Sequence, residues 1–571
     1  MNRADQGRSL LQQWESSKPG NFYEDDAYLR AALARRVDRE RLARFAPALR
    51  QAGEDSAGPI SRAAFTLDRP EHLPRVEPWS RTGERTDEVV FHPAHHEVGR
   101  LVWRSGILAA LGEPGGMTPH AALTYLFGLN SEVPHLCSIA CTAGLVKAIQ
   151  RAGSDFMRRE WLPRLLDPDY DRRWHASQFV TEIQGGSDVG ANACVARPVA
   201  DRPGVWRLSG EKWFCSNVSA DLYAVSARPE GAREGTGGVA LFVVPRRLED
   251  GRPNGVLIRR LKNKLGTRTL PTVELDFEGA LAWQLGELQE GFRLLIGIII
   301  NTSRLHVAIG TSAMMRRAWV EAWHYARLRE AFGRRLVEFP AVRAQLAEMR
   351  VLGTAGLALT LFAASAEDQL RLAGAHAEDD AVFRTAVNLA KFICSIDAGL
   401  VVHHAIEILG GNGTIEDFSP LPRLWRDVPV QESWEGPHNT LVAQVLRDGL
   451  RAKLHDPLLA RAQDLLLGVR RPELAATRER ALGALDELRG SLAGLLRRGP
   501  DAAALHIRGL VTRMARVTQV ALLLDDAQAD GGACPWLGAA ADLLLRRFTL
   551  PGWDPLADPD YERLIATVLE A

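Results

Sequence analysis

Val180-Thr181-Glu182-Ile183-Gln184-Gly185-Gly186-Ser187-Asp188 is the segment of this 571-residue chain best composed to hold a ligand. Its adjacent glycines let backbone come close to a bound group, and its Thr and Ser hydroxyls can donate to ring acceptors. Taken alone, Gly-Gly-Ser-Asp also describes an ordinary tight turn. Its company narrows the choice. Downstream stand Gly210-Glu211-Lys212-Trp213-Phe214-Cys215-Ser216-Asn217, Arg329-Glu330-Ala331-Phe332-Gly333, Leu409-Gly410-Gly411-Asn412-Gly413, Arg426-Asp427 and Trp434-Glu435-Gly436-Pro437-His438-Asn439. Each is a weak signal, and their fixed order makes a strong one.

Other constellations carry less. Glu-x-x-His, the helical di-iron spacing, occurs at Glu132/His135, Glu321/His324 and Glu435/His438. The first and third contain a proline that spoils the i, i+3 geometry, and the second lacks a partner. His92, His95 and His96 read as hydrogen-bonded structure at a helix start, so no metal is expected. Six scattered cysteines without a C-x-x-C pair read as small core residues.

The elements that must position these groups follow from periodicity. After an N-terminal arm (1–24), apolar residues recur at helical spacing over a first domain, 25–176. Short β-branched runs then mark strands of a small antiparallel barrel over 177–289: VWRLSGEKWFC, LYAVSAR, VALFVVPR, VLIRRL and VELDF. Helical periodicity resumes over 290–450 with segments long enough for an antiparallel bundle. An appended helical domain, 451–571, has breaks at Gly499-Pro500 and Gly531 to Trp536. The fold class is mainly α with a central β-barrel.

The ordered motifs resemble those of the acyl-CoA dehydrogenase superfamily: T-E-x-x-x-G-S-D, G-x-K-x-x-x-x-N, R-x-x-F-G, G-G-x-G, R-D and E-G. The resemblance spans roughly Asp25 to Leu450, and FHPAHH, LKNKLGTR, MMRRA and SWEGPHN are similar to the AidB-like branch. It implies FAD. By that resemblance Gln178, Val180, Thr181, Gly186 and Ser187 meet the flavin's polar edge, with Phe214 and Ser216 against the ring system. Arg329 pairs with the pyrophosphate and Phe332 packs beside the adenosine. Glu407, Gly410 and Gly411 approach the adenine end of a neighbouring subunit's FAD, and Asn439 joins the cofactor contacts, implying a dimer or dimer of dimers.

Glu435 matches the family's base, which abstracts the proton α to an acyl-CoA thioester while the β hydride goes to the flavin. Burial would raise its pKa toward the working pH. Ser187, Arg304 and Gly436 are the implied substrate contacts; read without the family, Arg304 is a solvated helix arginine. An electron-transfer flavoprotein or oxygen is the implied electron acceptor, the latter making the enzyme an oxidase. Several positions depart from the pattern: Glu407 for Gln, Thr414 for an aromatic, Pro340 for Gln, and Pro437-His438-Asn439 for Thr-Ser-Gln. They leave the exact nucleotide contacts and the acyl-chain length open.

Composition sets outer limits. Lys plus Arg and Asp plus Glu number 70 each, so no global field draws the chain to polyanions. The AidB-like branch offers DNA binding or a part in alkylation response as an alternative. Within 455–571, however, arginines are slightly outnumbered by acids, which disfavours it. Arg497-Arg498, Arg508, Arg513, Arg516 and Arg546-Arg547 read as a solvated helix surface. No run approaches the roughly 20 apolar residues of a membrane span. A polar N-terminus without a signal-like stretch points to the cytoplasm.

Overall fold

The structure is a computed structural model and describes residues 3–371, 376–550 and 552–570. The chain forms two compact units, one of Pro59–Gly116 with Glu132–His306, the other of Met1–Gly58, Met117–Ser131 and Val307–Ala571.

The first unit holds the barrel. A ribbon of β1 (Arg75–Trp79) and β2 (Arg85–Val90) precedes β3 (Ala176–Phe179), β4 (Val195–Pro198), β5 (Val205–Ser216), β6 (Leu222–Pro229), β7 (Ala240–Pro245), β8 (Val256–Leu261) and β9 (Thr272–Gln284). The pairings β6–β4, β4–β5, β5–β9, β9–β7 and β7–β6 close a ring of five strands, with β3 added on β6 and β8 on β9. Closure removes free edges, and it explains why all six positions of β7 are buried. Phe179, Tyr223, Phe242 and Phe277 fill the interior.

The five expected strands are present, but the barrel is not wholly antiparallel as expected: β6 pairs parallel with both β3 and β4. The sequence pattern missed β3 and β4, whose four residues each are too few for alternation to register. It also missed β1 and β2 within the block read as helical, because β1 is Arg-Val-Glu-Pro-Trp, mostly exposed, with a proline that only an edge tolerates.

Beside the barrel, His95, His135 and His175 are packed closely, His95 and His135 with ring centroids 4.1 Å apart. His135 adopts φ 63° and its Nε2 lies 3.0 Å from the His95 carbonyl oxygen. Burial lowers all three pKa values, His135 to about 3. His92 accepts from the Ala94 N–H as a helix cap, and His96 bonds Tyr170, so this cluster is structural as expected.

The second unit is helical. Pro340–Leu370, Ala377–Leu409, Leu421–Ser433 and His438–Ala452 form the bundle with the later turns of Asn301–Leu328, and every residue of Met117–Gly128 is buried among helices. Leu288–Leu328, Pro340–Leu370 and Ala377–Thr414 are long and apolar enough to cross a membrane, contrary to the expectation from runs of apolar residues. Their most apolar windows are 83%, 67% and 61% buried inside the fold, which accounts for their composition as core.

Among the described residues five more α-helices follow: Asp456–Gly468, Ala475–Leu496, Pro500–Ala529, Leu537–Thr549 and Tyr561–Leu569. The expected breaks are real, with Gly499 as N-cap and Pro500 at N1, where its missing N–H costs nothing. The arginines of this block do not form one solvated face. Arg516 is buried and makes a bidentate pair with Asp397 at 2.7 and 2.6 Å, while Arg546 binds Asp542, Asp558 and Asp560. Arg547 reaches Glu348 at 2.7 Å.

Two outcomes follow from this packing. Arg516→Met leaves Asp397 buried without its partner and should cost about 3–5 kcal/mol by denaturant unfolding, whereas Arg516→Met with Asp397→Leu should recover most of the loss. The histidines set the acid side. Their folded pKa values lie below the unfolded value, so the unfolded chain binds more protons and stability falls as pH drops below about 6.5. His135→Asn, which tolerates positive φ, should reduce the stability lost between pH 7 and pH 5 by about 2 kcal/mol, measured by unfolding at both pH values.

Candidate active site

In the barrel unit, the 180–188 loop is held from beneath by polar groups. Lys212 is fully buried and its Nζ lies 2.7 Å from Glu182 Oε1. Glu182 also accepts from the N–H groups of Ala193 (2.6 Å) and Cys194 (3.2 Å) and from Gln184 Nε2 (2.8 Å). Burial pushes this carboxyl up, but Lys212 and these donors together hold it below its usual range. The Val180 carbonyl accepts from Asn192 Nδ2 (3.0 Å) and Lys212 (3.3 Å), and the Thr181 carbonyl from the Trp213 N–H (2.9 Å).

With its inner groups satisfied, the loop turns its other side outward. Gly185 has φ 148°, and a Cβ on Gly186 would lie 2.5 Å from Thr181 Oγ1, so both glycines are required. Between Lys212↔Leu275 and Cys215↔Val273, Trp213 and Phe214 oppose only Glu274. This bulge turns Phe214 out, 52% exposed, beside the residue pair 181/213. Ser216 Oγ is 3.0 Å from Thr272 Oγ1, and Gln178 Oε1 accepts from Ser303 Oγ at 3.2 Å. The structure therefore places Gln178, Val180, Thr181, Gly186 and Ser187 on β3 and the loop that follows it, and Phe214 and Ser216 on β5, which the Trp213 N–H ties to the Thr181 carbonyl. Arg304 is buried, with its Nη1 3.4 Å from Asn301 Oδ1, which corrects the reading of a solvated arginine.

The helical unit carries the remaining residues on three elements. Glu330–Ala331 and Arg334–Arg335 pair as a hairpin whose two turn residues, Phe332 (φ 53°) and Gly333 (φ 81°), both take positive φ, as a type I′ turn requires. Phe332 is 97% exposed at its tip, and Arg329 is exposed at its base. Glu407 accepts from Gln345 Nε2 at 2.7 Å, and Gly410 and Gly411 follow with open space above them. Glu435 and Gly436 link Leu421–Ser433 to His438–Ala452.

That link is strained and clamped. Glu435 has φ 59° and Gly436 φ 100°. A left-handed glutamate costs energy that its surroundings must supply. Lys391, fully buried on Ala377–Leu409, donates to the carbonyls of Glu432 (2.8 Å) and Gly436 (3.0 Å), on either side of Glu435. His438 Nε2 lies 3.0 Å from Ser395 Oγ; burial, with Lys391 and Arg508 nearby, lowers its pKa to about 4, so it is neutral at pH 7. Arg508 donates to Asn439 Oδ1 at 3.0 Å. The sequence reading missed Lys391 altogether; its signal was a lone lysine in the apolar run Leu389-Ala390-Lys391-Phe392-Ile393-Cys394.

Family models cover most of the chain in three pieces. Residues 12–172 match the adaptive response protein AidB N-terminal domain, 177–280 the acyl-CoA dehydrogenase middle domain and 289–450 the acyl-CoA dehydrogenase C-terminal domain. A Caenorhabditis elegans protein, acyl-CoA dehydrogenase family member 11, is 32% identical over 75% of this chain and 70% of its own length. The putative acyl-CoA dehydrogenase AidB of Escherichia coli (strain K12) is 34% identical over 66% of this chain and 69% of its own. The chain belongs to the acyl-CoA dehydrogenase superfamily, in its AidB-like branch. Its fold agrees with the crystal structure of C. elegans ACDH-11 in complex with C11-CoA, with TM-score 0.84 and 28% identity over 96% of this chain and 94% of that one.

FAD is the cofactor of this acyl-CoA dehydrogenase-like chain, and the residues present fit it. The loop of 180–188 has its inward polar groups satisfied and its glycines facing out, next to a half-exposed Phe214 that no fold requirement explains. Phe332 and the two open glycines offer a second apolar and close-approach surface, suited to the nucleotide half.

Lys212→Met tests whether the buried pair shapes the cofactor loop. It strands the Glu182 charge, at a cost of about 3–5 kcal/mol, most of which a surface loop can relieve by rearranging. FAD affinity, measured by fluorescence titration of the apoprotein, should fall at least about 100-fold, a loss of roughly 2.7 kcal/mol. Unchanged affinity with a native melting temperature would contradict the assignment.

Proposed function

We propose that this chain catalyses α,β-dehydrogenation of an acyl-CoA thioester with Glu435 as the base. The observation that carries the reading is the backbone of Glu435, a non-glycine residue held at φ 59° by a buried lysine bonded on both sides of it. Strain of this kind persists where the surroundings over-determine it, and it fixes where one carboxylate points. Similarity to a relative solved with C11-CoA supports a thioester of coenzyme A as substrate.

In this reading Ser187 and Gly436 hold the thioester end and Arg304 lies toward the CoA entrance. FAD, when bound, supplies a two-electron acceptor for hydride. The Glu435 carboxylate takes the proton from the α carbon; the β hydrogen leaves with its electron pair, and the two carbons become doubly bonded. Lys391 acts through the backbone and keeps the carboxylate aimed, and neutral His438 adds no charge that would disfavour proton uptake. The two electrons would leave through an electron-transfer flavoprotein as the partner, with oxygen as the oxidase alternative.

Phe332, almost wholly exposed at a hairpin tip, and Arg329, Glu407, Gly410 and Gly411 support an assembly in which one subunit contacts the FAD of another, as a dimer or dimer of dimers. The six cysteines are free and five are buried, which fits the reducing cytoplasm. Arg516, Arg546 and Arg547 of the C-terminal helices are paired with carboxylates, which puts the DNA-binding alternative in second place.

The test is anaerobic titration of FAD-replete protein with acyl-CoAs of varied length and branching. Wild type should bleach the flavin, and Glu435→Gln should slow bleaching by at least about 100-fold, the usual scale of a general base, while still binding FAD. Absence of bleaching by every thioester would sink the proposal, and equal rates in both proteins would remove Glu435 from it. Reoxidation in air within one turnover would favour the oxidase.

A further inference from the structure

A separate cavity of about 260 Å³ opens within the helical unit, among the N-terminal turn at Asp25 to Tyr28, the helices Asn301–Leu328 and Pro340–Leu370, and Trp536. None of the residues assigned to the cofactor, the thioester or the base lines it. At roughly 30 Å³ of liquid per water, it holds far more than a single bridging solvent molecule.

Its walls combine flat aromatic surface with guanidinium groups. Trp319 and Trp323, one helical turn apart, stack with ring centroids 5.4 Å apart and planes at 11°. The Arg350 guanidinium lies 4.0 Å from the Trp536 ring centroid and 5.4 Å from that of Trp319, and the Arg316 guanidinium is 4.9 Å from Trp319. A guanidinium stacked on an indole is pre-oriented; Arg350 also donates from Nη1 to the Val568 carbonyl, and Arg316 donates to Asp25. Trp319 is only 7% exposed, yet its indole N–H has no acceptor. A buried donor left unmade is costly, and an acceptor on an occupant would relieve it.

Charge decides the sign of that occupant. Three guanidiniums (Arg316, Arg327, Arg350) face two carboxylates (Asp25, Asp26) in the lining. Burial lowers the His324 pKa, so this side chain adds no charge at neutral pH. Burial also lowers Arg350, to about 10, which leaves it protonated. The carboxylates are engaged: Asp25 accepts from Arg316 at 2.6 Å, and Asp26 accepts from Tyr125 Oη at 2.9 Å and the Leu29 N–H at 3.0 Å. The net lining charge is positive.

We infer that this cavity is a second binding site, distinct from the flavin and thioester site, for a planar aromatic ring bearing a carboxylate or phosphate. The ring stacks on the Trp319/Trp323 pair, and the anionic group accepts from the Trp319 N–H within the positively charged lining.

The experiment is isothermal titration of the full-length, FAD-replete protein with AMP, indole-3-acetate and, as a non-aromatic anion, cyclohexanecarboxylate. AMP or indole-3-acetate should bind saturably, with cyclohexanecarboxylate at least tenfold weaker. Binding of AMP alone would assign the anion as phosphate, and of indole-3-acetate alone as carboxylate. Trp323→Leu should weaken the aromatic probe at least tenfold. Gly353→Leu gives a fold-sparing second variant: a Cβ at Gly353, mid-helix in the cavity wall, meets only Met315 Cβ at an ordinary 3.6 Å, and the larger side chain should block binding. Glu435→Gln should leave the affinity unchanged. No binding of either aromatic anion, equal binding of the non-aromatic one, or affinity untouched by both cavity variants would overturn the inference.

Discussion

The site rests on a constraint that recurs in both units: a lysine with no access to water must place its ammonium on protein oxygen. Lys212 does so on Glu182 and the Val180 carbonyl, and Lys391 on the carbonyls of Glu432 and Gly436. A buried charge without such partners is too costly to keep, so the loops that supply the oxygens cannot drift from the lysines. In the barrel this shapes the surface offered to FAD. In the bundle it holds Glu435 at an unfavourable φ.

The two clamps suit their tasks differently. Around Glu182 the pair is reinforced by two backbone N–H groups and an amide, a full set of donors for one carboxylate, and the outcome is a rigid inner edge beneath two half-buried glycines. Around Glu435 the lysine donates to the carbonyls of Glu432 and Gly436, which pins the backbone on either side of the left-handed residue.

Much of this was legible in the sequence. The order of motifs located the loop, the bulged aromatic, the hairpin and the strained Glu435-Gly436 link, and the positive-φ demands at Gly333, Gly410 and Gly436 agree with the glycines found there. The closed barrel followed from runs of β-branched residues separated by turns. What the sequence hid were long-range pairings and solitary polar residues. Strands of four residues show no alternation, and Lys391 sits in an apolar helix where local pattern gives no hint that its head reaches a loop more than forty residues away. Arg516 and Arg546 looked like surface because composition cannot reveal that Asp397, Asp542 and Asp558 lie opposite them.

The central claim, that Glu435 abstracts the α proton, is tested most directly by anaerobic incubation of the FAD-replete enzyme with a saturated acyl-CoA in deuterium oxide. Mass spectrometry of the recovered thioester reads solvent deuterium at the α carbon. The account predicts incorporation by wild type and none above the uncatalysed background for Glu435→Gln. Equal incorporation by both proteins would show that another group carries the proton.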